Sequence, residues 1–280
     1  MSPSLLKTFD ESMSAFRSRT TRYGNLPHLS NIAQKPEPLG TEFKVTKSTK
    51  IGICLHLEIQ RGKEGMSNLK YTDTMKKTVA CSVPIAEATK NSTSDDERQG
   101  RHDTYLGDSW FASVDMVVQM KKHLNARFIG VIKTNHSKFP KKWLETTMKD
   151  WPPGSHLVLE ATHEGVDIIA CGYKYNMRKV CCFVFTKGAG HTEEGKPYVA
   201  KWKDAHNNTR TRNVPHPDVI SKYFGSSNVV DLFSQSRKFD LKRSYILRTL
   251  TSGLLLKNML QIWRKRNRAR LILGSLQFTF

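Results

Sequence analysis

Apolar and polar positions alternate over much of the chain, and that period of two predicts strands. Residues 51–59 (IGICLHLEI) set Ile51, Ile53, Leu55, Leu57 and Ile59 on one face of an extended segment. Residues 41–49 alternate more weakly before it. Residues 103–107 predict a short strand, and 128–132 (FIGVI) a short buried one. Three more strands are expected in quick succession at 156–161, 166–173 and 180–185. The turns between them are His163-Glu164-Gly165 and Tyr175-Asn176-Met177-Arg178. Such spacing predicts an antiparallel meander.

Helical spacing is rarer. Residues 113–124 (SVDMVVQMKKHL) place Val114, Val117, Val118 and Met120 as an apolar stripe. Residues 72–89 predict a helix kinked at Pro84, another helix begins near Asp218, and 244–270 forms a long basic one. Residues 1–40 read mostly as loop after the apolar lead Leu5-Leu6-Lys7-Thr8-Phe9. Residues 91–101 read as an exposed polar insertion and 188–213 as a polar loop. Strands joined by hairpins, mixed with strands separated by helices, predict an α/β or α+β architecture.

Composition narrows the function. The 280 residues hold 45 Lys+Arg against 25 Asp+Glu, a net of 45 − 25 = +20, with 38% hydrophobic residues. That is enough apolar material for a core. No run approaches the ~18 apolar residues of a membrane span, and the start carries no secretory signal pattern. The five cysteines lack a paired spacing, so a disulfide framework and a tetrahedral zinc site are both poorly supported. Buried reduced thiols are the expectation. Residues 201–280 hold 16 basic against 4 acidic residues, densest at 264–270 (RKRNRAR). A basic run reads as a solvated helix face, a nuclear import patch or a phosphate-binding surface. The charge of the whole chain favours a polyanion such as nucleic acid.

In a chain short of acids, three aspartates sit beside apolar residues: Asp10 after the opening apolar stretch, Asp108 in Gly107-Asp108-Ser109-Trp110-Phe111, and Asp231 after Val229-Val230. A buried carboxylate needs a partner or a metal. Each alone reads as a helix cap or a partly exposed acid rather than a metal ligand. Trp110 and Phe111 read as core. His136, His163, His191 and His216 read as loop residues rather than metal ligands, and Glu11 should point away from the face of its neighbour Asp10.

Several segments together resemble piggyBac-type transposases. They are DESMSAFRSR (10–19), GNLPHL (24–29), KPEPLGTEFK (35–44), LEIQRGKE (57–64), GDSWFASV (107–114) and YFGSSNVVDLFSQSRK (223–238). The resemblance implies an RNase H-like α/β fold: a mixed sheet flanked by helices, spanning 1–270, with a β-rich insertion at about 137–213 and an unassigned tail at 271–280. It implies a catalytic and metal-binding triad of Asp10, Asp108 and Asp231, separated by 98 and 123 residues. It also implies Mg²⁺ or Mn²⁺ as cofactor, since carboxylate oxygens suit those ions rather than zinc. Cleavage and transfer of DNA strands, a homodimer and a nuclear location follow from the same resemblance. Lys35, Lys44, Lys133, Lys141, Lys142 and Arg237 are the expected contacts to the DNA backbone. The chain departs from the pattern at Ser234, where many members carry a further acid. The family's N-terminal DNA-binding region and Cys/His-rich zinc module are expected to be missing. A non-catalytic basic DNA-binding remnant is therefore the alternative expectation.

Overall fold

A computed structural model describes residues 5–15, 26, 28–33, 38–90, 101–192, 195, 197–204 and 206–226. The chain divides into two units, Met1–Val230 and Asp231–Phe280, and every described residue belongs to the first.

Strand β1 (Leu6–Ala15) lies inside the sheet. It pairs antiparallel with β3 (Leu39–Ser48) on one side and parallel with β5 (Thr104–Gly107) on the other. The opening residues are thus a ten-residue interior strand rather than loop. Lys7, Asp10 and Glu11 interrupt the apolar alternation, and each finds its counter-charge on a distant segment (Lys7 on Asp103, Asp10 on Lys47, Glu11 on Lys44). Beyond β3 lie the short β2 (Ser30–Asn31) and β4 (Cys54–Ile59), both antiparallel to it. Beyond β5 the order continues with β6 (Arg127–Ile132), parallel to β5. Then come β9 (Lys179–Thr186), β8 (Val166–Asn176) and β7 (His156–His163), each antiparallel to its neighbour. The predicted meander is present, and through β9 on β6 it prolongs this same nine-stranded sheet. The segment at 188–213 departs from the loop reading. It contains β10 (Tyr198–Lys203) and β11 (Thr209–Val214), paired as a separate two-stranded sheet. Its exposed polar residues hide the alternation that normally signals a strand.

Helices cover both faces. The first face carries Phe9, Tyr105 and Phe128. It is packed by α2 (Lys77–Thr89) and α3 (Val114–Leu124), with α1 (Gly62–Ser67) and α4 (Lys141–Thr147) beside them. Helix α2 starts later than expected, because residues 71–74 form a turn, and Pro84 lies inside it. The stripe of α3 is buried as predicted. Its N-terminus is capped by Ser113, whose Oγ accepts from the Met116 N–H at 3.0 Å. The opposite face carries Leu106, Ile129 and Phe183 under a helix at 218–226, which contributes Val219 and Ile220. The sheet is therefore mixed and flanked by helices, of the α/β class. No helix among the described residues is long and apolar enough to cross a membrane.

Candidate functional site: two aspartates at one end of a parallel strand pair

The register of β1 with β5 is Leu6↔Thr104, Lys7↔Tyr105 and Thr8↔Leu106, a constant offset of 98. Asp10 lies two residues past the last of these pairs on β1, and Asp108 one residue past the end of β5, so both stand at the same end of the strand pair. Side chains alternate along a strand, so Thr8, Asp10 and Leu106 share one face, that of the 218–226 helix, and Asp108 follows where β5 turns. Tyr223 on that helix reports the convergence. Burial pushes its phenol well above the ordinary tyrosine range, and the negative charges of Asp108 and then Asp10 push it further. Both carboxylates therefore lie near one phenol. Sequence reasoning assigned Tyr223 no role, although it opens the last of the resembling segments.

The local chain dictates where Asp108 stands. Strand β5 ends at Gly107, where a Cβ would lie 2.8 Å from both Phe111 Cβ and Phe128 Cζ. Only glycine permits that approach. Asp108 then closes a turn. Its Oδ1 accepts the Trp110 N–H at 2.9 Å, and its carbonyl accepts from Phe111 and Ala112 at 3.1 and 2.9 Å. Phe111 is buried, stacked on Phe9 with ring centroids 5.4 Å apart, while Phe9 also stacks on Tyr105 at 5.2 Å. These rings tie the turn to β1 and to β5. Phe111 is core, as expected, and Trp110 packs edge-on against it.

Lysines of β3 neutralise the acids of β1 on both faces. Lys47 is fully buried, with Nζ 3.6 Å from Asp10 Oδ2. It shares the Asp10 face, because Asp10 pairs with Val45, two residues before Lys47. Lys44 shares the other face with Glu11, its direct cross-strand partner. Its Nζ lies 2.5 Å from Glu11, 2.7 Å from Glu42 and 3.4 Å from the centroid of the Trp110 ring. Glu11 thus turns away from Asp10 as expected. Lys44 requires a correction. At 1% exposure it is an interior counter-ion rather than a contact to DNA, because two carboxylates and an indole face have replaced its water. Nothing in the local sequence distinguishes it from a surface lysine.

The remaining expected residues fall in three groups. Lys133 and Lys142 are exposed, and Lys141 is held by Glu145 at 2.6 Å. Asp231, Lys35 and Arg237 lie outside the described residues. Among the histidines, His163 departs from the loop reading as the last residue of β7, while His216 lies in the loop between β11 and the 218–226 helix, as expected. It is buried and stacks nearly parallel on Phe224, with burial holding its pKa below the ordinary value.

Among the described residues no three His, Cys, Asp or Glu side chains gather as a metal site. Two of the three expected ligands are in view. The donors are carboxylate oxygens, which suit Mg²⁺ or Mn²⁺. Ser12 Oγ, on the Asp10 face two residues on, is buried without a hydrogen-bond partner among the described residues. Two carboxylates at the same end of a parallel strand pair, with a buried hydroxyl two residues from one of them, are a donor set whose chemistry a hydrated divalent ion fits.

A mixed α/β sheet with paired acids where a parallel strand meets its helix is the class defined so far. Among solved structures, the fold is similar to that of piggyBac transposase in a synaptic complex with hairpin DNA. The TM-score is 0.61 at 15% identity, over 93% of this chain and 45% of that one. The likeness is one of fold, and the chain spans less than half of that transposase. No family model matches the sequence, and no curated protein does.

Proposed function

We propose that this chain is a catalytic domain of the piggyBac transposase type, acting on DNA by metal-dependent strand cleavage and transfer. The observation that carries the reading is the parallel pairing of β1 with β5, which brings Asp10 and Asp108, one residue past β5, to the same end of that strand pair. The strand order β4–β3–β1–β5–β6, an antiparallel pair followed by three parallel strands, supports an RNase H-like core. Asp10, Asp108 and, from the sequence, Asp231 would hold Mg²⁺ or Mn²⁺, whose charge activates an attacking hydroxyl and stabilises the leaving oxygen. Lys47 offsets part of the carboxylate charge. Tyr223, on the 218–226 helix, feels the negative charge of both acids. Lys133 and Lys142 offer exposed charge to phosphates, and the net +20 draws DNA in. A homodimer and a nuclear location belong to the same proposal.

A nicking assay on supercoiled plasmid, with and without Mg²⁺, tests it. Wild type should nick only with metal, and Asp108→Asn should not nick. Equal nicking by both proteins would sink the proposal.

One observation favours a second reading, a non-catalytic basic DNA-binding protein. Lys47 already places a positive charge 3.6 Å from Asp10 Oδ2. In that case neither protein nicks, and both bind DNA with affinity that falls steeply as salt rises.

A further inference from the structure

The β10–β11 ladder exposes aromatic side chains that its own packing does not explain. Tyr198 is 45% and Trp202 49% exposed, and almost every residue of both strands faces water. An isolated two-stranded ribbon is marginal in water, and large exposed rings on one call for an occupant. The register sorts the residues. Trp202 faces Arg210, Ala200 faces Arg212 and Tyr198 faces Val214. Alternation puts all six on one face, so Tyr198 and Trp202 interleave with two arginines. Between 198 and 214 there are four basic residues and one acid, 4 − 1 = +3. A line of rings also leads from this face to Tyr223. Tyr223 contacts Phe224 at 5.6 Å, Phe224 contacts Tyr175 at 5.9 Å, and Tyr175 stacks towards Tyr198 at 6.5 Å between ring centroids.

We propose that this ladder face binds unpaired DNA, taking exposed bases on Tyr198 and Trp202 while Arg210 and Arg212 hold the adjoining phosphates. Arginines alone would take duplex backbone equally well. Two aromatic planes about 13 Å apart along one strand add what only unstacked bases can use. Charge complementarity and the line of rings leading to Tyr223 argue for nucleic acid rather than for a protein partner. The inference rests on the DNA reading above and does not need catalysis.

The test is fluorescence anisotropy on the full chain, with a 20-nucleotide oligothymidine and a 20-base-pair blunt duplex at one fixed salt concentration. Trp202→Ala and Tyr198→Ala should each weaken oligothymidine binding about tenfold, the loss of one stacked base. Duplex binding and plasmid nicking should stay unchanged. Trp202→Phe should restore most of the loss, which separates stacking from a folding defect. Equal weakening on both DNAs, no weakening on either, or equally effective competition by polyglutamate would each overturn the proposal. Because the readout is binding, it can succeed where the nicking assay fails, and it can fail where nicking succeeds.

Discussion

The ammonium of Lys44 lies 3.4 Å from the centre of the Trp110 ring, and the backbone N–H of that Trp110 is hydrogen-bonded to Asp108 Oδ1 at 2.9 Å. A lysine on β3 thus helps to hold the turn that carries a proposed catalytic aspartate, although Lys44 itself points to the other face of the sheet.

Replacing Lys44 by methionine removes the cation that Glu11 and Glu42 share. Breaking a buried pair from one side is strongly destabilising. Both carboxylates keep some water, so the expected cost is about 3 kcal/mol, the lower end of the range for buried pairs. Urea unfolding of Lys44→Met against wild type measures it. An unchanged midpoint would mean that the cluster contributes nothing net.

On the proposed reading, Lys47 would compete with a divalent ion for Asp10. At 3.6 Å the two charges attract by several kcal/mol even at an effective dielectric of about 20. Lys47→Met should therefore bind Mg²⁺ more tightly, by about tenfold once solvent has replaced part of the lost charge. Titration calorimetry reads the change, and weaker binding in the variant would contradict it.

Gly107→Ala tests the close approach below Asp108. The added Cβ meets Phe111 and Phe128 at 2.8 Å. Overpacking of this kind costs about 1–3 kcal/mol, read as a lower thermal midpoint. Nicking should fall further than stability does, because the turn that aims Asp108 must shift.

Stability should fall with acid, through His216. Burial holds its folded pKa below the unfolded value of 6.5. The neutral ring is therefore favoured in the fold. Its contribution is complete above pH 6.5 and is lost as pH falls below that towards the folded pKa. His216→Phe keeps the stack on Phe224 and removes the titration. Its stability should vary less with pH below 6.5 than that of wild type, in matched chemical-denaturation series. Equal slopes would show that His216 titrates normally.

The thiols give an independent check of the sheet. All five cysteines are free, with Cys54 half-buried and the other four buried. Burial pushes Cys171 and Cys182 up to about 12, and Cys81 and Cys181 also upward. Thiolate is the reactive form. Iodoacetamide at pH 8 should therefore label Cys54 first, and all five only after unfolding, as mass spectrometry would count. Early labelling of Cys171 or Cys182 would place β8 or β9 outside the core.

The sequence alone determined the elements whose signal is local. The meander of β7, β8 and β9 showed as period-two runs with turn residues between them, and α3 as a helical stripe behind a capping serine. Asp10 and Asp108 stood out because carboxylates beside apolar residues need a reason. The tertiary structure alone decided what depends on residues distant along the chain. Strand β1 looked like loop because its charged positions find their partners on β3 and beside β5. Lys44 looked like a surface lysine because Glu42 and Trp110 reach it only through folding. The pairing of β1 with β5 that brings Asp10 and Asp108 to one end of the sheet is set by hydrogen bonds between segments far apart in sequence. Local alternation reports which face a residue takes, and only the paired sheet reports which residue lies opposite.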